Sequence, residues 1–132
     1  MAKRQSKSKS VPLTPALQAV ADSVIEASLP NGLKIRLLPS DAVPTCSLYT
    51  FFRVGARNER PGITGISHLF EHMMFNGAKK YGPGKFDRVL ESSGGTSNAY
   101  TSNDVTVYYE DFMAEALETV IDLESDRMQS LR

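Results

Sequence analysis

The sequence predicts an α+β fold in which helices pack on a mixed β-sheet. Strand-like alternation of apolar and polar residues fills two separate stretches, residues 25–54 and 96–109. Between and after them the apolar spacing changes to that of helices. The length of 132 residues allows one compact domain, and 41% hydrophobic with 23% charged residues is the balance of an ordinary globular chain. No internal repeat is visible, so the expected order is β-β-β-α-α-β-β-α within one α+β unit.

The first ten residues, MAKRQSKSKS, are basic, polar and free of acidic groups. A secretory signal needs roughly 7–15 apolar residues next. Here VPLTPALQAV is short and broken by Pro12 and Pro15. Ser-rich, acid-poor composition also suits a transit peptide, but the prolines work against the amphipathic helix that such a peptide requires. Residues 1–22 therefore read as a flexible basic tail, and residues 23–132 as the domain. With no signal or membrane span the compartment is left open, with the cytoplasm as the default.

From Ser23 the pattern becomes structured. Val24, Ile25 and Leu29 lead into Pro30-Asn31-Gly32, followed by Leu33 to Leu38. Asn-Gly between apolar runs is a hairpin signal, because both turn positions of the tightest hairpins take positive φ. Leu33, Ile35 and Leu37 alternate with Lys34 and Arg36, which predicts one buried face. Thr45 to Val54 forms a third strand with apolar groups on both faces, as in a central strand covered on each side. Cys46 is then most simply a small buried hydrophobe.

Gly55 to Gly62 is a polar loop, and a helix is expected from about Ile63 to Phe75, stopped by Asn76-Gly77. Lys85 to Ser92 reads as a short helix with Phe86, Val89 and Leu90 on one face, ended by Gly94-Gly95. Strands follow at Thr96–Tyr100 and Val105–Tyr109, around the turn cluster Ser102-Asn103-Asp104. Asp111 or a neighbour caps a last helix. Its apolar stripe is Ala116, Leu117, Val120, Ile121, Leu123 and Met128, with Glu and Asp on the wet side.

Fifteen basic and fifteen acidic side chains cancel, so the body gives no reason to expect a nucleic-acid or anionic-membrane partner. The single cysteine excludes an internal disulfide. No apolar run approaches the roughly 18–20 residues of a membrane span.

Chemistry concentrates on the central helix. The two histidines of the chain, His68 and His72, stand four residues apart with Glu71 beside the second. At about 100° per residue, all three project from one stripe of a helix. Ile66, Leu69, Phe70 and Met73 fall on the opposite face, which predicts that one face packs while the other presents imidazoles and a carboxylate. Neutral imidazoles at i and i+4 reach one zinc ion at roughly 2.0–2.1 Å, and a nearby carboxylate is placed to take a proton from water that the metal has acidified. H-x-x-E-H is the inverted form of the zincin helix. Either histidine alone would more simply be a surface or core residue. Together, backed by an apolar face, they read as a metal site.

At this point the sequence resembles the pitrilysin/insulinase metallopeptidases, which include the mitochondrial processing peptidases. The segments that carry the resemblance are L-P-N-G-L-K-I at 29–35, R-V-G-A-R-N-E at 53–59 and G-I-S-H-L-F-E-H-M-M-F-N-G at 65–77. Further on come G-G-T-S-N-A-Y-T-S-N-D-V-T-V-Y-Y at 94–109 and L-E-S-D-R-M at 123–128. The resemblance implies zinc on His68 and His72, with Glu71 as general base. It also implies that Asn98 and Ala99 flank an edge strand to which an extended peptide, or an unfolded polypeptide, adds as a further strand. The alternative reading of Asn98 is a turn or bulge residue.

The resemblance also implies a third zinc ligand, a glutamate roughly 70–80 residues beyond the second histidine. Sixty residues follow His72. Glu124 matches a segment upstream of that ligand and is not a candidate for it. The expectation is an incomplete version of the metallopeptidase half-domain, completed by a missing C-terminal half or a partner subunit. An inactive fragment and a non-catalytic scaffold subunit of the same fold are the alternatives.

Overall fold

The computed structural model describes residues 13–132, which divide into two compact units, one ending at Ala42 and the other running Val43–Arg132. The first described element of the first unit is helix α1, Pro15–Asp22. Pro15 stands in its first turn, where a fixed φ suits the helix and a missing N–H removes nothing. The Thr14 hydroxyl accepts the Leu17 N–H at 3.4 Å. The expected flexible tail is thus helical over its last eight residues, because Pro15 starts a helix instead of breaking one. The part of that expectation covering residues 1–12 lies outside the described residues.

Strands β1 (Ile25–Ser28) and β2 (Lys34–Leu37) pair antiparallel, from Ile25 opposite Leu37 to Ser28 opposite Lys34. The hairpin is as expected, but its turn is not the tightest kind. Only Gly32 takes positive φ, at 89°, while Asn31 stays at negative φ and its side-chain oxygen accepts the Leu33 N–H at 3.1 Å. Ile35 and Leu37, expected on a buried face, are exposed.

In the second unit β3 (Thr45–Phe52), β4 (Thr96–Thr101) and β5 (Thr106–Met113) form one antiparallel sheet in the order β3-β5-β4. The α+β class holds, but the strands divide between two antiparallel sheets where a single mixed one was expected. β3 is an edge strand here and β5 is central. The two-sided apolar pattern of β3 has a local cause. Tyr49 and Phe51 lie on the open side, where Tyr49 stacks on Tyr109 of β5 at 5.3 Å between ring centroids. Cys46 is half-buried at the margin of the core, less covered than expected.

Helices α2 (Ile66–Met73), α3 (Lys85–Ser92) and α4 (Leu117–Ser130) complete the unit. The core joins Phe86 and Leu90 of α3, Phe112 of β5, Ala116, and Val120 and Leu123 of α4, with Cys46, Leu48 and Val89 packed against it. β5 runs to Met113 and a 3-10 turn covers Ala114–Ala116, so the last helix starts later than an Asp111 cap implied. Its stripe is also different. Leu117, Ile121 and Met128 are exposed, whereas Glu124 and Arg127 are buried.

That burial is tolerated because the charges meet. The Arg127 guanidinium lies 3.0 Å from Glu110 Oε1 and 2.7 Å from Glu124 Oε1. It also stacks over the rings of Tyr108, Phe86 and Phe75 at 4.5, 5.0 and 5.4 Å. Two carboxylates share one cation. Burial, and then the Glu124 charge, push the Glu110 carboxyl up to about 8 against the pull of Arg127.

Candidate metal centre

Helix α2 begins where the loop after β3 is clamped. Gly65 sits at its N-cap with φ 90°, a conformation that side chains resist. In place of a local cap, Glu59 reaches forward from the loop. Its Oε2 accepts the Gly65 N–H at 2.7 Å and its Oε1 accepts the Ser67 N–H at 2.9 Å. The Ser67 amide first, and then that of Gly65, hold this carboxyl below its ordinary value. Upstream, Ala56 N–H donates to Ser102 O at 3.0 Å and Arg57 N–H to Asn103 O at 2.9 Å. Gly55 is buried at that crossing, where a Cβ would stand 2.3 Å from Ser102 O. Only glycine lets the loop lie so close to the β4–β5 turn.

The helix is shorter than Ile63–Phe75, but its polar stripe is as the spacing demands. His68 Nε2 and His72 Nε2 are 3.0 Å apart, with ring centroids at 4.7 Å. A carboxylate oxygen of Glu71 and the two imidazole nitrogens lie within 4.8 Å of one another. Two nitrogens on one tetrahedral ion, at roughly 2.0–2.1 Å each, stand about 3.3 Å apart, so the donor set fits zinc with small adjustment. Among the described residues no further carboxylate joins this group. Glu124 in particular is committed to Arg127.

Glu71 departs from the simple two-faced picture. It is 7% exposed while both histidines are exposed. It is turned against β4, where Thr101 Oγ1 donates to its Oε2. Sequence reasoning did not link Thr101 to Glu71, since only the packing of α2 against β4 brings the two together. The expected packing of the other face is not seen either. Ile66 and Met73 are 37% exposed, Phe70 53% and Leu69 57%. Phe70 and Ile66 instead help line a cavity of about 360 Å³ together with Phe52, Val54 and Tyr108.

Asn98 and Ala99 lie in the middle of β4, which pairs on one side with β5 and has no partner on the other among the described residues. The register runs unbroken from Thr96 opposite Asp111 to Thr101 opposite Thr106, so Asn98 is at neither a turn nor a bulge. Its side-chain oxygen accepts the Ala99 N–H at 2.8 Å. No described helix is long and apolar enough to cross a membrane.

Comparison with known proteins gives this arrangement a context. The chain is 33% identical over 119 residues to the insulin-degrading enzyme of Mus musculus, covering 82% of this chain and 12% of that protein. It is 34% identical over 105 residues to the zinc protease PqqE of Helicobacter pylori, covering 79% of this chain and 24% of that one. The crystal structure of a protease from Helicobacter pylori superposes with a TM-score of 0.79 at 33% identity, over 83% of this chain and 26% of that one. The chain thus spans 12–26% of the length of these relatives. Residues 36–131 match the insulinase family of peptidases, peptidase family M16, and the chain belongs to that family.

Proposed function

We propose that these residues form the active-site portion of a zinc-dependent endopeptidase, with His68 and His72 as zinc ligands and Glu71 as general base. The observation that carries this reading is the convergence of two imidazoles and one carboxylate within 4.8 Å on a single helix, in a family whose members include zinc proteases. When bound, zinc supplies a Lewis acid for a peptide carbonyl and lowers the pKa of water toward about 7. Glu71 accepts the proton of the attacking water on its carboxylate and returns it to the departing amine. Because the side chain is buried and held by Thr101, it meets the reacting water in one orientation.

The open side of β4 supports a reading of the substrate. A strand edge offers backbone N–H and C=O groups to any extended segment, so a peptide or unfolded polypeptide adds beside Asn98 and Ala99 with little dependence on its side chains. The described residues supply two imidazoles, whereas a catalytic zinc takes three protein ligands. The third is read as coming from a further part of the polypeptide or from a partner subunit. A purely structural subunit would need none of this convergence.

The test is Glu71→Gln in the full-length protein. Zinc content is expected to be unchanged and peptide hydrolysis to fall by at least about 100-fold, the lower end of what a general base contributes. Near-normal hydrolysis by that variant would remove Glu71 from the role.

A further inference from the structure

We propose that Thr101 is a positioning residue for Glu71: its hydroxyl fixes one carboxylate oxygen so that the other faces the reacting water. This rests on the reading of Glu71 as the base. Glu71 is 7% exposed, so neighbours and not solvent set the orientation of its carboxylate. Thr101 Oγ1 donates to Oε2, and among the described residues no hydrogen bond engages Oε1.

The direction of the protons follows from counting them. Thr106 Oγ1 donates to Val54 O at 3.0 Å, so its only proton is committed. It faces Thr101 Oγ1 at 3.4 Å with lone pairs alone. Thr101 also has one proton, and a carboxylate is a stronger acceptor than a hydroxyl. The Thr101 proton therefore goes to Glu71. Two hydrogen bonds, Thr106 to Val54 and Thr101 to Glu71, thus lie side by side across the loop after β3, β5, β4 and α2, with the two hydroxyl oxygens 3.4 Å apart. Thr106 is 4% exposed, which keeps water away from the Thr101 hydroxyl on that side. Thr101 also ends the strand that carries Asn98 and Ala99. The element proposed to seat the peptide thus holds the base as well, so the distance between scissile bond and base is set within one strand.

Thr101→Val keeps the shape and the strand preference and removes only the hydroxyl. In the zinc-loaded full-length protein we expect kcat to fall by about 10- to 100-fold, the range that a misplaced catalytic group produces. KM and zinc affinity are expected to stay as they were, and Thr101→Ser to restore most of kcat. A second readout needs no metal. In zinc-free protein labelled with carboxyl-13C glutamate, the Glu71 resonance, assigned by its loss in Glu71→Gln, should move in Thr101→Val and return in Thr101→Ser. If Thr101→Val does not fold, Thr101→Ala carries the same comparison. Unchanged kcat or an unmoved resonance, with Glu71→Gln inactive, overturns the role of Thr101 and leaves Glu71 as the base. A loss confined to KM or to zinc affinity overturns it too. An active Glu71→Gln overturns the underlying reading instead.

Discussion

Glu110 is the residue whose chemistry departs furthest from its ordinary state. Its carboxyl is raised from 4.5 to about 8, by burial first and by Glu124 second. Between those values the folded chain holds a proton that the unfolded chain has released. The associated stability is therefore complete below pH 4.5 and is lost as pH rises through 8. Glu110→Gln keeps the side-chain shape and removes the titration. Thermal melts of the two proteins at pH 5.5 and 8.5 should show the parent losing on the order of 1–3 kcal/mol more than the variant, or roughly 5–15 °C in Tm. Parallel behaviour of parent and variant would mean that Glu110 stays ionised throughout beside Arg127. None of this was legible in the sequence. Glu124 sits where a helical wheel asks for a wet face, and only the aromatic surroundings of Arg127 explain why a charged stripe goes inward.

At the scale of elements, periodicity served where the cause of structure is local. The helix that carries His68, Glu71 and His72 and the stripe they share follow from spacing, though the helix is shorter at both ends than expected. The errors fall where a neighbour decides. β3 has two apolar faces yet lies at an edge, because Tyr49 and Phe51 stack along the sheet surface. Pro15 reads as a breaker by residue type and as a starter by position. β4 is the element on which the substrate reading depends, and its free side can be tested. Peptides N-methylated at ladder positions lose backbone donors and are expected to bind at least about tenfold more weakly, whereas side-chain changes at the same positions have small effects. Inhibition constants for the two peptide series decide the matter, and equal sensitivity to both would refute pairing along β4.

Over the whole molecule, the described residues hold a proposed metal site with two imidazoles and an apolar helix face that stays 37–57% exposed at Ile66, Met73, Phe70 and Leu69. Both features point the same way. Residues 1–132 by themselves should bind zinc weakly, release it readily to a chelator, and leave a test peptide uncut, since a catalytic zinc takes three protein ligands. Calorimetric titration with zinc and a quenched-fluorescent peptide assay measure this. Tight binding at one equivalent, with chelator-sensitive cleavage, would require a second copy of the chain to complete the site.

Gly55 shows that the border of this site is not drawn by contact. It touches neither histidine nor carboxylate, yet the backbone on its N-terminal side accepts the Thr106 hydroxyl, and on its C-terminal side Ala56 donates to Ser102. The loop and the β4–β5 turn are held together at the one place where hydrogen replaces a methyl group. A genetic screen that scores only surviving activity would count Gly55 among the working parts, for it sets the clearance to which the others are fitted.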